Sequence, residues 1–469
     1  MSQRLSLALL LITASFSAAA DTPPPVPLAL HPQNPHYFLF RGRPTVLVTS
    51  GEHYGAVLNQ DFDYRRYVEE LKACGLNHTR LFSGAYLEPQ GAFNIAQNTL
   101  APAAGRYLGP WARSNTPGYA NGGNKFDLTH WNDAYFARLR DFVEQASRCG
   151  VIVEMNLFCP FYDEAQWRLS PQNADNNVNG IGQVKRTDVY TLDKNGGLLA
   201  VHDALVRKIV AGLQSCDNLY YEVCNEPYFG GVTMAWQHRI AETIVDAERG
   251  LKQQHLISLN IANGKQKVEQ PHPAVSIFNF HYATPPDTVA LNFGLNKPLG
   301  DNETGFKGTG DTHYRREGWE FMLAGGALYS HLDYSFAAGH EDGTFAYPAT
   351  QPGGGGRTLR RQLQVLKQFL DGFEFIKMRP DQTVIAGRTP DKVQVRAFVE
   401  PGRQYALYLF GGGQAELRLT LPAGEYVAQW INPLDGKVTR EDRVSPASGV
   451  AVLSSPRYQE DLALRITRQ

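Results

Sequence analysis

The sequence predicts an α/β protein, a (β/α)8 barrel followed by a small antiparallel β-sandwich. Three observations carry that expectation. The chain has 469 residues, more than one compact core accommodates, so a large domain with a smaller companion is expected. From Pro44 to about Arg379, short apolar runs alternate with amphipathic stretches, the pattern of a parallel sheet covered by helices. After Pro380 the texture changes to short alternating segments separated by Gly and Pro turns.

Taken in order, the first residues read as an export signal. Arg4 gives a positive start, Leu5 to Ile12 an apolar run, and Ala18-Ala19-Ala20 a small-residue cleavage site before Asp21. The expectation is a signal peptide over 1–20, a mature chain from Asp21, and a secreted or periplasmic location. The apolar run is too short to span a bilayer and no later stretch qualifies, so no membrane span is expected.

The barrel is expected over 21–380. Its eight strands read as Thr45 to Thr49, Asn77 to Phe82, Val151 to Phe158, Leu219 to Cys224, Leu256 to Ile261, Val275 to Phe280, Pro298 to Asp301 and Ala327 to Tyr334. Helical periodicity falls between them, at Phe62 to Cys74, Trp131 to Arg148, Val201 to Gln214, Thr233 to Lys252, His313 to Ala324 and Leu359 to Phe375. No G-x-G-x-x-G follows the first strand, which argues against a dinucleotide-binding sheet. The sandwich is expected over 381–469, from the alternating runs Val393 to Val399, Tyr405 to Phe410, Glu416 to Leu421 and Tyr426 to Trp430.

Two connections are long, Ser83 to His130 after the second strand and Cys159 to about Leu199 after the third. In a barrel these lie on the C-terminal face, where active sites are built. Both are rich in aromatics, with Trp111 in the first and Trp167 in the second offered as platforms for sugar rings; packing of the loops onto the barrel is the competing use of such side chains.

Composition narrows the partners. Lys plus Arg number 45 against 46 Asp plus Glu, which leaves no electrostatic footprint for nucleic acid or an anionic membrane surface and suits a neutral substrate. The five cysteines include no C-x-x-C pair, so they read as small buried hydrophobes, with a Cys74–Cys149 bridge as the one pairing their positions suggest. No two histidines stand one residue apart, and the Asp- and Asn-rich segment from Asp175 to Asn179 lacks EF-hand spacing, so neither a catalytic metal nor a cofactor is expected.

The chemistry is read from two strand ends. Tyr220-Tyr221-Glu222-Val223-Cys224 is an apolar strand that stops abruptly in Asn225-Glu226-Pro227, and Pro298-Leu299-Gly300-Asp301-Asn302-Glu303-Thr304-Gly305 again ends in a carboxylate before a turn. Cleaving a glycosidic bond with retention needs two carboxyl groups roughly 5 to 5.5 Å apart, one protonated and one ionised. Glu226 and Glu303, from the fourth and seventh strands, are the candidates; Asp301, Glu317 and Glu320 compete for the second place.

These two motifs, with Gly75-Leu76-Asn77-His78-Thr79-Arg80 on the second strand and His281-Tyr282 after the sixth, resemble the clan A retaining glycoside hydrolases, a cellulase-like superfamily of TIM barrels. The resemblance implies Glu226 as acid/base and Glu303 as nucleophile, the latter kept ionised by Arg80 and by a hydrogen bond from Tyr282. It implies Asn225 as the holder of the sugar's 2-hydroxyl and His281 as a lining residue of that subsite. The eighth strand departs from the family's usual tryptophan, carrying His331-Leu332-Asp333-Tyr334-Ser335-Phe336 instead, so Tyr334, Phe336 or Trp319 is the expected replacement. Glu52 and His53 after the first strand bring polar groups to the same face, Glu52 either to read hydroxyls or to serve as a structural acceptor. The activity so implied is hydrolysis of a β-linked, β-glucan-like polysaccharide or oligosaccharide by double displacement; a transglycosylase using the same site and a barrel that only binds glycan are the alternatives.

Overall fold

A computed structural model describes residues 26–446 and 448–469; the signal peptide expected over 1–20 lies outside the described residues. Eight parallel strands form one sheet: β1 (Leu47–Gly51), β2 (His78–Phe82), β3 (Ile152–Phe158), β4 (Leu219–Cys224), β5 (Ile257–Asn263), β6 (Ile277–His281), β7 (Leu299–Thr304) and β8 (Leu328–Leu332). Their order in the sheet, β1-β8-β7-β6-β5-β4-β3-β2, brings first and last together, so the sheet rolls into a barrel as expected. Asn77 helps to close the seam between β1 and β2. Its side chain accepts from the Val48 N–H (3.0 Å) and donates to the Val46 carbonyl (2.8 Å).

Helices α1 (Tyr64–Ala73), α2 (Asp133–Arg148), α3 (Leu198–Leu213), α4 (Met234–Ala247), α5 (Asp311–Leu323) and α6 (Arg357–Asp371) cover the barrel, each within a few residues of the expected span. Side-chain caps fix several starts, including Asp63, which accepts from the Arg65 N–H (3.1 Å), and Thr233, which accepts from the Trp236 N–H (3.3 Å). Among the described residues no helix is long and apolar enough to cross a membrane. All five cysteines are free.

Three features were not legible in the pattern. A small antiparallel sheet of Ala29–Leu30, Phe38–Phe40 and Arg43–Thr45 precedes the barrel, tied to its N-terminal end where Arg41 pairs with Asp217 at 2.6 Å, two residues before β4. The long connection after β2 contains a hairpin, Trp111–Pro117 with Asn124–Trp131. The connection after β3 carries the short helix Glu164–Leu169 and interlocks with that hairpin. Within the connection Asn177 donates to the Asn173 and Ile181 carbonyls (both 2.9 Å) and Asn176 to the Arg168 carbonyl (2.6 Å), while Asn179 reaches the hairpin, donating to Asp127 (3.0 Å) and accepting from the Leu128 N–H (2.7 Å). The Asn-rich segment is therefore explained by amides that satisfy the polar groups of the two loops.

After the barrel, a six-stranded antiparallel sheet and a three-stranded one stack face to face as the expected sandwich. Its strands include three beyond the expected four, Val438–Val444, Val450–Ser454 and Asp461–Arg468, and a short one at Ile385–Thr389. The strand Gln404–Phe410 is buried on both faces. Tyr405, Leu407 and Leu409 fill the sandwich core while Ala406, Tyr408 and Phe410 join the core of the barrel. That is why the run reads as continuously apolar although its side chains alternate. Trp319 of α5 stacks on Tyr408 with ring centroids 5.2 Å apart, and buried Arg315 on the same helix pairs with Asp461 at 2.8 Å. Trp319 therefore belongs to the seam between the two parts and is far from the floor of any subsite, contrary to one of the expectations above.

Candidate active site

The C-terminal mouth of the barrel holds a buried layer of charge. Arg80 points inward from the middle of β2 and is buried among side chains of three other strands. Its guanidinium donates to Glu154 (2.6 Å) on β3, to Glu222 (2.9 Å) on β4, to Asn225 (2.8 Å) just after β4, and to Glu303 (3.0 Å) on β7. A planar fork with five donors suits this multidentate task, where a lysine would meet fewer partners. Burying an arginine without such partners would cost several kcal/mol.

Glu303 is held as an anion from four sides. Its Oε2 accepts from Arg80 and from the Tyr54 hydroxyl (2.8 Å), and its Oε1 from the Tyr282 hydroxyl (2.8 Å), with His281 Nδ1 at 3.4 Å. Burial opposes ionisation, but the His281 charge, its hydrogen bond, Arg80 and Tyr282 together outweigh it and hold the carboxyl far below its usual range. His281 gains correspondingly. Desolvation would lower it, yet the two flanking carboxylates raise it to about 10.

Glu226 faces Glu303, a carboxylate oxygen of each lying within 4.8 Å of the other. Its surroundings differ in kind. Oε2 accepts from the Tyr162 hydroxyl (2.7 Å), which in turn accepts from Asn225 Nδ2 (3.0 Å). Oε1 lies 3.2 Å from the Tyr228 hydroxyl, whose single proton is also directed at Asn263 Oδ1. If that proton goes to Asn263, the Tyr228 oxygen is free to accept one from Glu226, so this carboxyl has a ready place to hold a proton. Arg80 touches only Glu303 of the two.

Deeper in the barrel, Glu154 and Glu222 complete the charge count. Burial works against ionising Glu154, but the Arg80 charge, His78 at 3.6 Å and a hydrogen bond from Tyr220 (2.5 Å) hold it at about 2. Glu222 is pushed up to about 7 by burial and by the charge of Glu154. The cations Arg80 and His281 thus stand directly against the anions Glu154 and Glu303, the pairing a low-dielectric interior requires.

Consecutive residues reach this one site because the strands break their alternation there. Period-two geometry would send Asn302 and Glu303 to opposite faces. The register of β7 against β6 and β8 slips at this point, and both turn inward, Asn302 donating to Glu154 (2.9 Å) while Glu303 meets Arg80. Three other attendants, Tyr54, Glu226 and Tyr282, sit at φ of 60°, 37° and 52°, left-handed values that a side-chain-bearing residue adopts only under constraint.

A cavity of about 310 Å³ opens between the two carboxyls, bordered by His53, Asn225 and Tyr282 from the expected set and by Glu88, Phe93 and Phe306 from outside it. The remaining expectations fare differently. Glu52 is buried and spends its oxygens on the Gly55 and Ala56 N–H groups (3.0 and 3.1 Å), so it acts as a structural acceptor. Trp111 is fully buried in its hairpin and Trp167 packs on Phe161, centroids 4.8 Å apart; the structure brings neither to the cavity, because both are enclosed where the long loops fold onto the barrel. Tyr334 stands behind the wall, edge-on to Phe306 at 6.0 Å. Tyr54, Tyr162, Tyr228, Glu154 and Glu222 were not singled out as site residues. Glu222 had a signal, an acid inside an otherwise apolar strand; Tyr228 and Tyr54 had none beyond adjacency to residues that were.

Glu226, His281 and Glu303 are also the one group of acidic, histidine or cysteine side chains among the described residues close enough to share a metal ion. A cation there would compete with the charges of Arg80 and His281 already committed to Glu303, so the arrangement fits an ion-pair network better than a metal centre.

No protein-family model matches the chain, and no curated protein matches it in sequence. Solved structures do match. A candidate glycoside hydrolase from Bacteroides vulgatus ATCC 8482 aligns with a TM-score of 0.68 and 14% identity over 96% of this chain and 84% of its own. A protein named only as a glycoside hydrolase gives 0.62 and 15% over 95% and 97%, and a family 5 glycoside hydrolase from Bacteroides vulgatus ATCC 8482 gives 0.61 and 14% over 94% and 93%. The likeness runs through barrel and sandwich alike, and this chain shares the two-part fold of those proteins.

Proposed function

We propose that the protein is a retaining glycoside hydrolase that cleaves β-linked oligo- or polysaccharide, β-glucan-like in linkage, and that it is exported from the cell on its N-terminal signal. The observation that carries the reading is the pair of opposed carboxyls, close enough for double displacement and unequal in environment. In the first step a Glu303 oxygen attacks the anomeric carbon, the glycosidic C–O bond breaks, and the departing oxygen takes the proton from Glu226. In the second, Glu226 removes a proton from water, the water oxygen bonds the anomeric carbon, and Glu303 leaves as a carboxylate.

Across the first step the negative charge passes from Glu303 to Glu226. His281 Nδ1 lies 3.3 Å from one and 3.4 Å from the other, so a single imidazolium serves whichever carries the charge. No group has to move far, as preorganised electrostatic stabilisation requires. Asn225, held by Arg80 and Tyr162, presents its amide beside Glu226 for the hydroxyl next to the reacting carbon. Proton NMR of the first-formed product on a cleaved β-glycoside tests this reading. The β-anomer should appear first, and Glu226→Gln should lower turnover by about 10²- to 10⁴-fold while glycan binding persists; initial release of the α-anomer would refute double displacement.

A further inference from the structure

The cavity is not an open groove. Along its length the contacts run in order from Glu88 to His53, then Tyr54 with Glu303, then Glu226, and lastly Tyr228 with Asn263. If Glu303 attacks the anomeric carbon and Glu226 protonates the departing oxygen, the sugar being cut lies toward Glu88 and the leaving group toward Tyr228. The two ends are built differently. Tyr228 and Phe229 are 38% and 43% exposed, an open apolar rim. Glu88 is buried and His53 half-buried, 3.6 Å apart, and they close the other end.

That end wall is rigid. Glu88 accepts from the Tyr86 hydroxyl (3.0 Å) and from the Asn98 amide, leaving lone pairs toward the cavity, and His53 Nδ1 has no protein partner. The wall is clamped to the end of β1, where the Thr99 hydroxyl donates to the His53 carbonyl (2.8 Å) and Gly55 lies so close that a Cβ there would stand 2.2 Å from the Thr99 oxygen. The same loop supplies a roof. Phe93, at φ 55°, reaches across the mouth to within ring-centroid distances of 5.5 Å from Tyr162 and 6.5 Å from Phe306, on opposite sides of the carboxyl pair. Its strained neighbours Asn94 and Gln97 (φ 60° and 54°) belong to a segment pinned by the Ala96 N–H to Gln351 (3.0 Å).

We propose that the site is a pocket for the last sugar at the non-reducing end of a β-linked chain, with Glu88 and His53 reading the hydroxyls farthest from the reacting carbon, so that the enzyme trims chains one residue at a time. The inference rests on the glycosidase reading above. A polysaccharide threaded through would have to pass both beneath Phe93 and through the closely paired Glu88 and His53. A carboxylate with free lone pairs accepts from two neighbouring hydroxyls, which a chain end offers and a substituted internal residue does not.

The test uses β-1,3- and β-1,4-linked gluco-, manno- and galactopentaoses with a fluorophore at the reducing end, each either free or capped by a 4,6-ketal at the other terminus. Free chains should lose single sugars in sequence and the capped chains should survive. Internal cleavage of a capped chain overturns the pocket while leaving the glycosidase reading intact; no turnover of any chain removes that parent reading and the inference with it. Glu88→Gln should lower kcat/KM on the free chain by about tenfold or more, chiefly through KM. Unchanged constants in a folded Glu88→Gln protein would overturn the role given to that residue.

Discussion

His281 links the stability of the barrel to pH in a way that can be measured. Between two carboxylates it is raised from 6.5 to about 10, a difference that linkage converts to about 5 kcal/mol in favour of the folded state. Because the folded value lies above the unfolded one, this stabilisation is fully present below pH 6.5 and is lost as the pH climbs toward 10. Replacing the residue by Gln, which keeps an amide donor but no charge, should therefore cost most at pH 6. The deficit should shrink by about 1.4 kcal/mol for each pH unit above 6.5 and be small at pH 10. Glu222, at about 7, is lowered in part by the His281 charge, so in the variant it titrates higher and slows that decline at alkaline pH. The tyrosines around the pair, Tyr54, Tyr162 and Tyr282, are raised far above the window, by burial above all. Guanidinium unfolding of the two proteins at pH 6, 8 and 10 gives the differences, and a deficit that stays constant across those values would refute the imidazolium bridge.

Two further outcomes separate chemistry from packing. Tyr54→Phe removes one of four donors to Glu303, a charge-assisted bond at 2.8 Å, and should lower kcat/KM by about tenfold or more with little change in melting temperature. Trp111→Ala should do the reverse, destabilising by about 3 to 5 kcal/mol through the void left in the hairpin core while KM for glycan stays put, as calorimetry and steady-state kinetics would establish. A raised KM without lost stability would put Trp111 back in the site.

Much of this architecture was legible because barrels repeat. Eight apolar runs with helices between them are the same signal eight times over, and an error at one boundary does not disturb the count. The C-terminal ends of β4 and β7 announced themselves by ending in a carboxylate beside a turn. What the pattern could not carry was local and geometric. The slip in β7 that turns Asn302 and Glu303 inward together, and the left-handed backbone at Tyr54, Glu226 and Tyr282, violate the alternation from which side-chain direction is read. Residues adjacent to a recognised motif, such as Asn302 and Tyr54, were thereby overlooked. The tryptophans failed for another reason. A large ring in a long loop serves a sugar or the loop's own core equally well on paper, and at Trp111 and Trp167 burial decides for the core.

The central claim is that Glu303 bonds to the sugar while Glu226 moves the proton. Incubation with an activated 2-deoxy-2-fluoro-β-glycoside of the sugar found to be cleaved, followed by proteolysis and mass spectrometry, addresses it directly. The account predicts one covalent glycosyl adduct on the peptide bearing Glu303, formed slowly in the unmodified protein and absent in Glu303→Gln. Adduct on Glu226 or another carboxylate, or inactivation without any covalent sugar, would contradict it.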